Sequence, residues 1–124
     1  MIATRLMSVR KVDLDGQGWT YSSYVIAGGF VFTSICSGSG DTITEQTESA
    51  LTRLQVYLSH AGVTLDDVVK VTVTFKRGES FDEMKPVFKR YFPNGFPARN
   101  TILVDEFLSP ATKLQIEAIA CRPQ

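Results

Sequence analysis

In 124 residues the chain has one histidine, one tryptophan, two cysteines and no net charge, because thirteen basic residues are matched by thirteen acidic ones. Each scarcity narrows the function. A nucleic-acid binder carries a basic excess or stripe that follows the phosphates, and neither is visible here, where the pI is about 6.6. A Ser–His–Asp triad or a zinc site would have to use His60, the one histidine, and nothing around it supports either. Its place near a helix end suits a role opposite the helix dipole. Cys36 and Cys121 lack metal-type spacing and lie in separate apolar runs, so they read as reduced, buried small hydrophobes. No run approaches the roughly 18 apolar residues that cross a bilayer. Met1-Ile2-Ala3-Thr4-Arg5 lacks the charged-then-apolar layout of a signal peptide. The expectation is a cytoplasmic protein with no metal, cofactor, membrane or nucleic-acid partner.

The composition, 44% apolar and 21% charged, is that of an ordinary globular protein, and residues 1–124 read as one domain with room for a real core. Near-zero charge leaves little repulsion between copies, which suits self-association. The first forty residues look β. Arg5 to Val12 is followed by turn chemistry at Asp13-Leu14-Asp15-Gly16-Gln17-Gly18. Tyr21 to Ala27 and Phe30 to Cys36 flank Gly28-Gly29, a tight hairpin signal. The second of these strands is nearly continuous in apolar residues and reads as buried on both faces.

A helix is expected next, with Thr42 and Glu45 at capping-box spacing, a stripe of Ala50, Leu51, Leu54, Tyr57, Leu58 and Ala61, and Gly62 as its stop. Val68 to Phe75 alternates Val69, Val71, Val73 and Phe75 with Lys70, Thr72 and Thr74, a strand with one wet face. A second helix has Ser80 and Glu83 at capping-box spacing and a stripe of Met84, Val87, Phe88 and Tyr91. Pro86 inside it implies a kink or a later start. Asn100 to Val104 and Leu114 to Cys121 are the last strands. The order β-β-β-α-β-α-β-β is met by an α+β fold, a mixed sheet with two helices on one face. The other face lacks cover within the chain, and association of copies would supply it.

Two charged residues stand in unusual places. Arg99 lies where a Pro-bearing loop, Phe96-Pro97-Ala98, meets a β-branched run, and Glu117 lies inside the apolar Ile116-Glu117-Ala118-Ile119-Ala120. Charges enter such places paired or used. An arginine grips a carboxylate with two parallel bonds, and a glutamate in apolar surroundings can hold or pass a proton near neutral pH. The pair points to a pocket that holds a small carboxylic acid and hydrolyses something beside it. The alternatives are a structural ion pair for Arg99 and a solvent-facing strand position for Glu117.

From Phe96 to Ala120 the chain resembles the C-terminal signature of the Rid (YjgF/UK114) family: a proline, any residue, an arginine, a short β-branched strand, then a glutamate within Glu-Ala-Ile-Ala. Thr64-Leu65-Asp66-Asp67-Val68-Val69-Lys70-Val71-Thr72-Val73 resembles the family's central helix-to-strand passage. The resemblance implies a chorismate-mutase-like α+β sheet assembled as a homotrimer with pockets at subunit interfaces. It also implies cofactor-independent hydrolysis of enamines and imines of amino acids, such as 2-iminopropanoate and 2-iminobutanoate, to 2-keto acids and ammonia. Carried over by residue, it makes Arg99 the clamp on the substrate carboxylate and Glu117 the group that positions the attacking water. Tyr21 becomes a pocket tyrosine, with Tyr24 a nearby competitor. Ser34 falls at a binding turn, and Thr101 falls where backbone groups hold substrate.

The chain departs from that pattern at three places. The family's Ser-Gly-Gln reads Ser34-Ile35-Cys36, so a branched side chain replaces the residue that allows close backbone approach. The proline expected before the tyrosine is Thr20. The asparagine expected early in the second helix is Lys85, followed by Pro86. If Ile35 and Lys85 face the cleft, they favour a larger or doubly anionic substrate. A trimer that binds a carboxylate metabolite without turnover is the competing reading. An endoribonuclease is a third, disfavoured by the balanced charge.

Overall fold

A computed structural model describes residues 8–16 and 18–122. The expected strand start at Arg5 and residue Gln17 of the first turn lie outside them. Seven strands and two α-helices follow in the order β1 (Val9–Val12), β2 (Tyr24–Ala27), β3 (Phe30–Thr33), β4 (Cys36–Ser37), α1 (Ile43–His60), β5 (Val68–Lys76), α2 (Lys85–Tyr91), β6 (Ala98–Val104) and β7 (Leu114–Cys121). Short 3₁₀ turns at Leu65–Asp67 and Phe81–Met84 lead into β5 and α2. The strands form one mixed sheet in the order β1-β2-β3-β7-β5-β6, with β4 also on β7. Only β5 and β6 run parallel among the described pairs. No helix of the described residues is long and apolar enough to cross a membrane.

The helices cover one face. Val31, Thr33, Cys36, Val71, Val73, Phe75, Leu114, Ile116, Ala118 and Ala120 point into the core, where they meet Ala50, Leu51, Leu54, Tyr57 and Leu58 of α1 and Val87 and Phe88 of α2. The helix-period stripes and the strand-period alternation thus meet on one interface. The opposite face carries Phe30, Phe32, Thr72, Thr74, Gln115, Glu117 and Ile119, half-buried or exposed.

Helix α1 starts and stops as its sequence implies. Thr42 Oγ1 accepts from the Glu45 amide at 3.1 Å, and the Glu45 carboxylate accepts from the Thr42 amide at 3.2 Å. The chain leaves α1 through Gly62, which takes a φ of 84° open to glycine. Gly28 and Gly29 make the two-residue turn between β2 and β3. Pro86 sits in the first turn of α2, where its missing N–H costs nothing. The sequence upstream forms the 3₁₀ turn instead, so the helix starts late. Ser80 makes no side-chain capping bond, which corrects the capping box expected there: the Glu83 amide that such a cap needs donates to the Ser80 carbonyl at 3.3 Å instead.

Four further expectations change. The strand read as Phe30 to Cys36 is two strands. Phe32 pairs with Ile119 and Cys36 with Ile116, so four steps on one chain oppose three on the other and one residue is extra. This bulge turns Ile35 outward and Cys36 inward. The same strand is not buried on both faces, because Phe30 and Phe32 are 44% and 40% exposed. In β5 a second bulge between Val68 and Lys70 displaces Val69, which is exposed, so Val68 takes the inward place. Cys121, the last residue of β7, is exposed, not buried, whereas Cys36 is buried.

One polar side chain is fully used inside the core. Gln46 is 1% exposed. Its amide donates to the carbonyls of Gly40 at 3.0 Å and Ala111 at 2.8 Å and accepts from the amide of Lys113 at 2.8 Å. Gly38 lies so close to this turn of α1 that a Cβ there would stand 2.1 Å from the Gln46 carbonyl.

Gln46→Leu is expected to cost about 2–4 kcal/mol, because it strands two carbonyls and an amide. A thermal melt within about 2 °C of wild type would contradict the role given to Gln46. Burial pushes the Cys36 thiol up to about 12 against the opposing pull of Arg53. The thiol of the unfolded chain ionises near pH 8.5, so the folded form holds the extra proton between there and about 12. Stability is then complete below that window and falls as pH rises through it. Denaturant melts from pH 8 to 11 should show this decline, and Cys36→Ala should flatten it.

Candidate active site

The sheet register separates the two charged residues singled out in the sequence. Arg99 of β6 pairs with Val71, a core residue, and so lies on the helix side. Glu117 of β7 pairs with Thr72 and lies on the open face. Within one chain they occupy different cavities.

On the helix side Arg99 borders a cleft of about 410 Å³ with Val71, Lys85, Phe88, Lys89, Phe96 and Pro97. Its guanidinium carbon stands 5.1 Å from the ring centre of Phe81 and 6.0 Å from that of Phe88. Such stacking holds a planar cation in place while leaving its edge free for a ligand. Among the described residues Arg99 has no ion-pair partner. Lys85, the first residue of α2, joins it at the cleft, but its ammonium is 2.8 Å from Asp82 Oδ1. That contact, chiefly a hydrogen bond, holds the Asp82 carboxyl below its ordinary value. Thr101 lies two residues beyond Arg99 on the same side of β6, opposite Val73.

On the open face Glu117 borders a cavity of about 240 Å³ with Phe32, Thr33, Lys70, Thr72, Ala118 and Ile119. The bulge places Ser34 and Ile35 against this stretch of β7. Thr33 Oγ1 accepts from the Ala118 amide at 3.0 Å, and the Ser34 amide donates to the Ser23 carbonyl at 2.9 Å, so the bulge is held on both sides. Ile35 is 46% exposed and does not border the Arg99 cleft of its own chain. Tyr21 is exposed in the loop before β2, its ring stacked on Trp19 at 5.3 Å. Tyr24, the competing tyrosine, is buried in the core, and its hydroxyl lies 2.6 Å from Nδ1 of His60. That bond gives the single histidine a structural partner.

The structure therefore groups Arg99, Lys85 and Thr101 on one side, Glu117, Ser34 and Ile35 on the other, and Tyr21 in a loop. Lys89, Phe81, Phe88 and Phe96 were not singled out from the sequence as site residues. Lys89 stands four residues after Lys85, one helical turn on the same face, which was the available signal. Among the described residues no group of three or more histidine, cysteine or acidic side chains could hold a metal.

A single mixed sheet backed by two helices on one face is the α+β architecture of a solved protein from Mycobacterium tuberculosis, described as a member of the YjgF/YER057c/UK114 family. That structure matches with a TM-score of 0.84 at 30% identity, covering 92% of this chain and 99% of the other. A family profile described as Endoribonuclease L-PSP matches residues 17–122. The chain belongs to this family, the YjgF/UK114 or Rid family. A RutC family protein of Pyrococcus abyssi is 34% identical over 108 residues, 81% of this chain and 84% of that protein. The human 2-iminobutanoate/2-iminopropanoate deaminase is 32% identical over 78 residues, 63% of this chain and 56% of its own.

Arg99 is exposed and makes only ring contacts among the described residues, so Arg99→Ala should change stability by no more than about 1 kcal/mol. Phe88→Ala, which empties a core position, should cost about 3–5 kcal/mol. Denaturant melts of the two variants test the distinction. Equal losses would mean that Arg99 is a structural residue.

Proposed function

We propose that the protein hydrolyses reactive enamines or imines that carry a carboxylate, releasing a 2-keto acid and ammonia without a cofactor. The observation that carries this reading is Arg99. Its guanidinium rests on two aromatic rings beside an open cleft and has no carboxylate partner among the described residues. The deaminase names of relatives support the same reading.

In this proposal Arg99 takes the substrate carboxylate in two parallel hydrogen bonds and fixes the C=N carbon. Glu117 orients a water toward that carbon. The water oxygen adds as the C=N π pair moves to nitrogen. Glu117 accepts one proton from the added water and delivers it to nitrogen, giving a carbinolamine; it then takes the proton of the new hydroxyl and passes it to nitrogen as the C–N bond breaks, so that ammonia leaves and the carbonyl forms. Because Arg99 and Glu117 lie on opposite faces of one sheet, a working site draws them from different copies of the chain. A homotrimer with sites at its interfaces meets that need. The open face, with Phe30 and Phe32, and the edge strand, with Ile102 and Leu103 about half exposed, offer apolar surface for such contacts. Tyr21, Ser34, Ile35 and Thr101 are proposed as pocket walls, and a cytoplasmic location is proposed with them.

A carboxylate-binding trimer without turnover is the second reading, favoured by Ile35, whose exposed branched side chain stands where the resemblance expects glycine. A ribonuclease is disfavoured by the balanced charge.

Ammonia release from 2-iminobutanoate generated in situ tests the reaction. Arg99→Ala and Arg99→Lys are both expected to lower kcat/KM by about 100-fold or more, since an ammonium lacks the planar fork. Glu117→Gln should lower kcat by a similar factor. Binding of 2-oxobutanoate with no ammonia from any imine would establish the second reading. Light scattering should give about three times the 13.7 kDa of one chain, and a monomer at micromolar concentration would remove the shared site.

A further inference from the structure

The cleft beside Arg99 holds more positive charge than one carboxylate needs. Lys85, Phe88 and Lys89 line it from α2, at spacings that put all three on one helix face. Lys85 is paired with Asp82 at 2.8 Å, at the surface. Lys89 is exposed and, like Arg99, has no ion-pair partner among the described residues. Two uncompensated cations thus border one cleft whose floor and walls, Val71, Phe88, Phe96 and Pro97, are apolar. Low-dielectric walls of this kind concentrate the field of the charges and draw anions in. The volume of about 410 Å³ is more than a three- or four-carbon acid fills.

We propose that this cleft is a two-anion site: Arg99 holds the carboxylate next to the reacting carbon, and Lys89 holds a second carboxylate at the far end of a short apolar chain. The preferred substrate class is then the imine or enamine of a dicarboxylic amino acid. This rests on the deaminase reading for the reaction but not for the binding. It also assigns the second charge to Lys89, which has no ion-pair partner among the described residues, and not to Lys85, which has Asp82 beside it.

Calorimetric titration of the whole protein at low ionic strength, with 2-oxoglutarate and with 2-oxobutanoate, tests the inference without turnover. Wild type should bind 2-oxoglutarate at least about fivefold more tightly. Lys89→Ala should bring that ratio close to one, and Lys89→Arg should keep it. Lys85→Ala should change it by no more than about twofold. Raising the salt should shrink the wild-type ratio. Equal affinities in wild type, a ratio that survives Lys89→Ala, or no binding of either acid overturns the inference. A Lys89-dependent ratio without ammonia from any imine supports the two-anion site and refutes the deaminase reading. Ammonia from 2-iminobutanoate alongside a ratio of one does the reverse.

Discussion

The amide of Gln46 ties the loop ahead of α1 to the loop ahead of β7 from inside the core. It binds the carbonyl ahead of α1, the carbonyl of Ala111 and the amide of Lys113, the residue just before β7. A buried amide with two donors and two lone pairs that meets three backbone groups is close to saturation, and the low dielectric around it strengthens each bond. The start of the main helix and the start of the central strand are thereby set by one side chain. The close approach at Gly38 belongs to the same arrangement. With β7 placed, β3, β4 and β5 have their common partner.

That strand also governs what the two faces of the sheet can do. Its inward residues Leu114, Ile116, Ala118 and Ala120 are all buried, and its outward ones include Glu117. Because side chains alternate with a period of two, the register that buries Ile116 and Ala118 holds Glu117 away from the helices. Arg99, opposite Val71, is held toward them by the same rule. No rearrangement short of a register slip, which would expose the whole inward row, can bring the two together within one chain.

Much of this was legible in the sequence. The ends of β7, the cap and stop of α1 and the two-residue turn at Gly28-Gly29 follow from local chemistry that tertiary contacts reinforce, and the late start of α2 is one of the two outcomes that Pro86 implied. The bulges at Ser34-Ile35 and at Val69 were not legible, because an inserted residue leaves the apolar content unchanged and alters only which residues face inward. The exposure of Phe30 and Phe32 was missed for a related reason: an apolar run does not say what covers its second face. For the site, Arg99 and Glu117 stood out as charges among apolar neighbours. Their separation across the sheet depends on pairings between strands distant in sequence, which no local pattern carries. Lys89 was not singled out, because only the fold brings it to the cleft that Arg99 borders.

Strand β6 has β5 as its only described neighbour in the sheet, and most of its residues are exposed. Its far end is held by the Arg77 amide on the Val104 carbonyl at 2.8 Å and by the Arg77–Asp105 contact at 3.0 Å, both at the surface. The arginine of the proposed site therefore rides on an edge strand that is paired along one side only among the described residues. Amides of β6 have a route to solvent that bypasses global unfolding, while those of β5 and β7 do not. A ligand bridging Arg99 and α2, or a second chain lying along the free edge, would close that route. The affinity of this chain for either is thus reduced by whatever fraction of time β6 spends open, so that ordering one outer strand becomes part of the free energy of recognition.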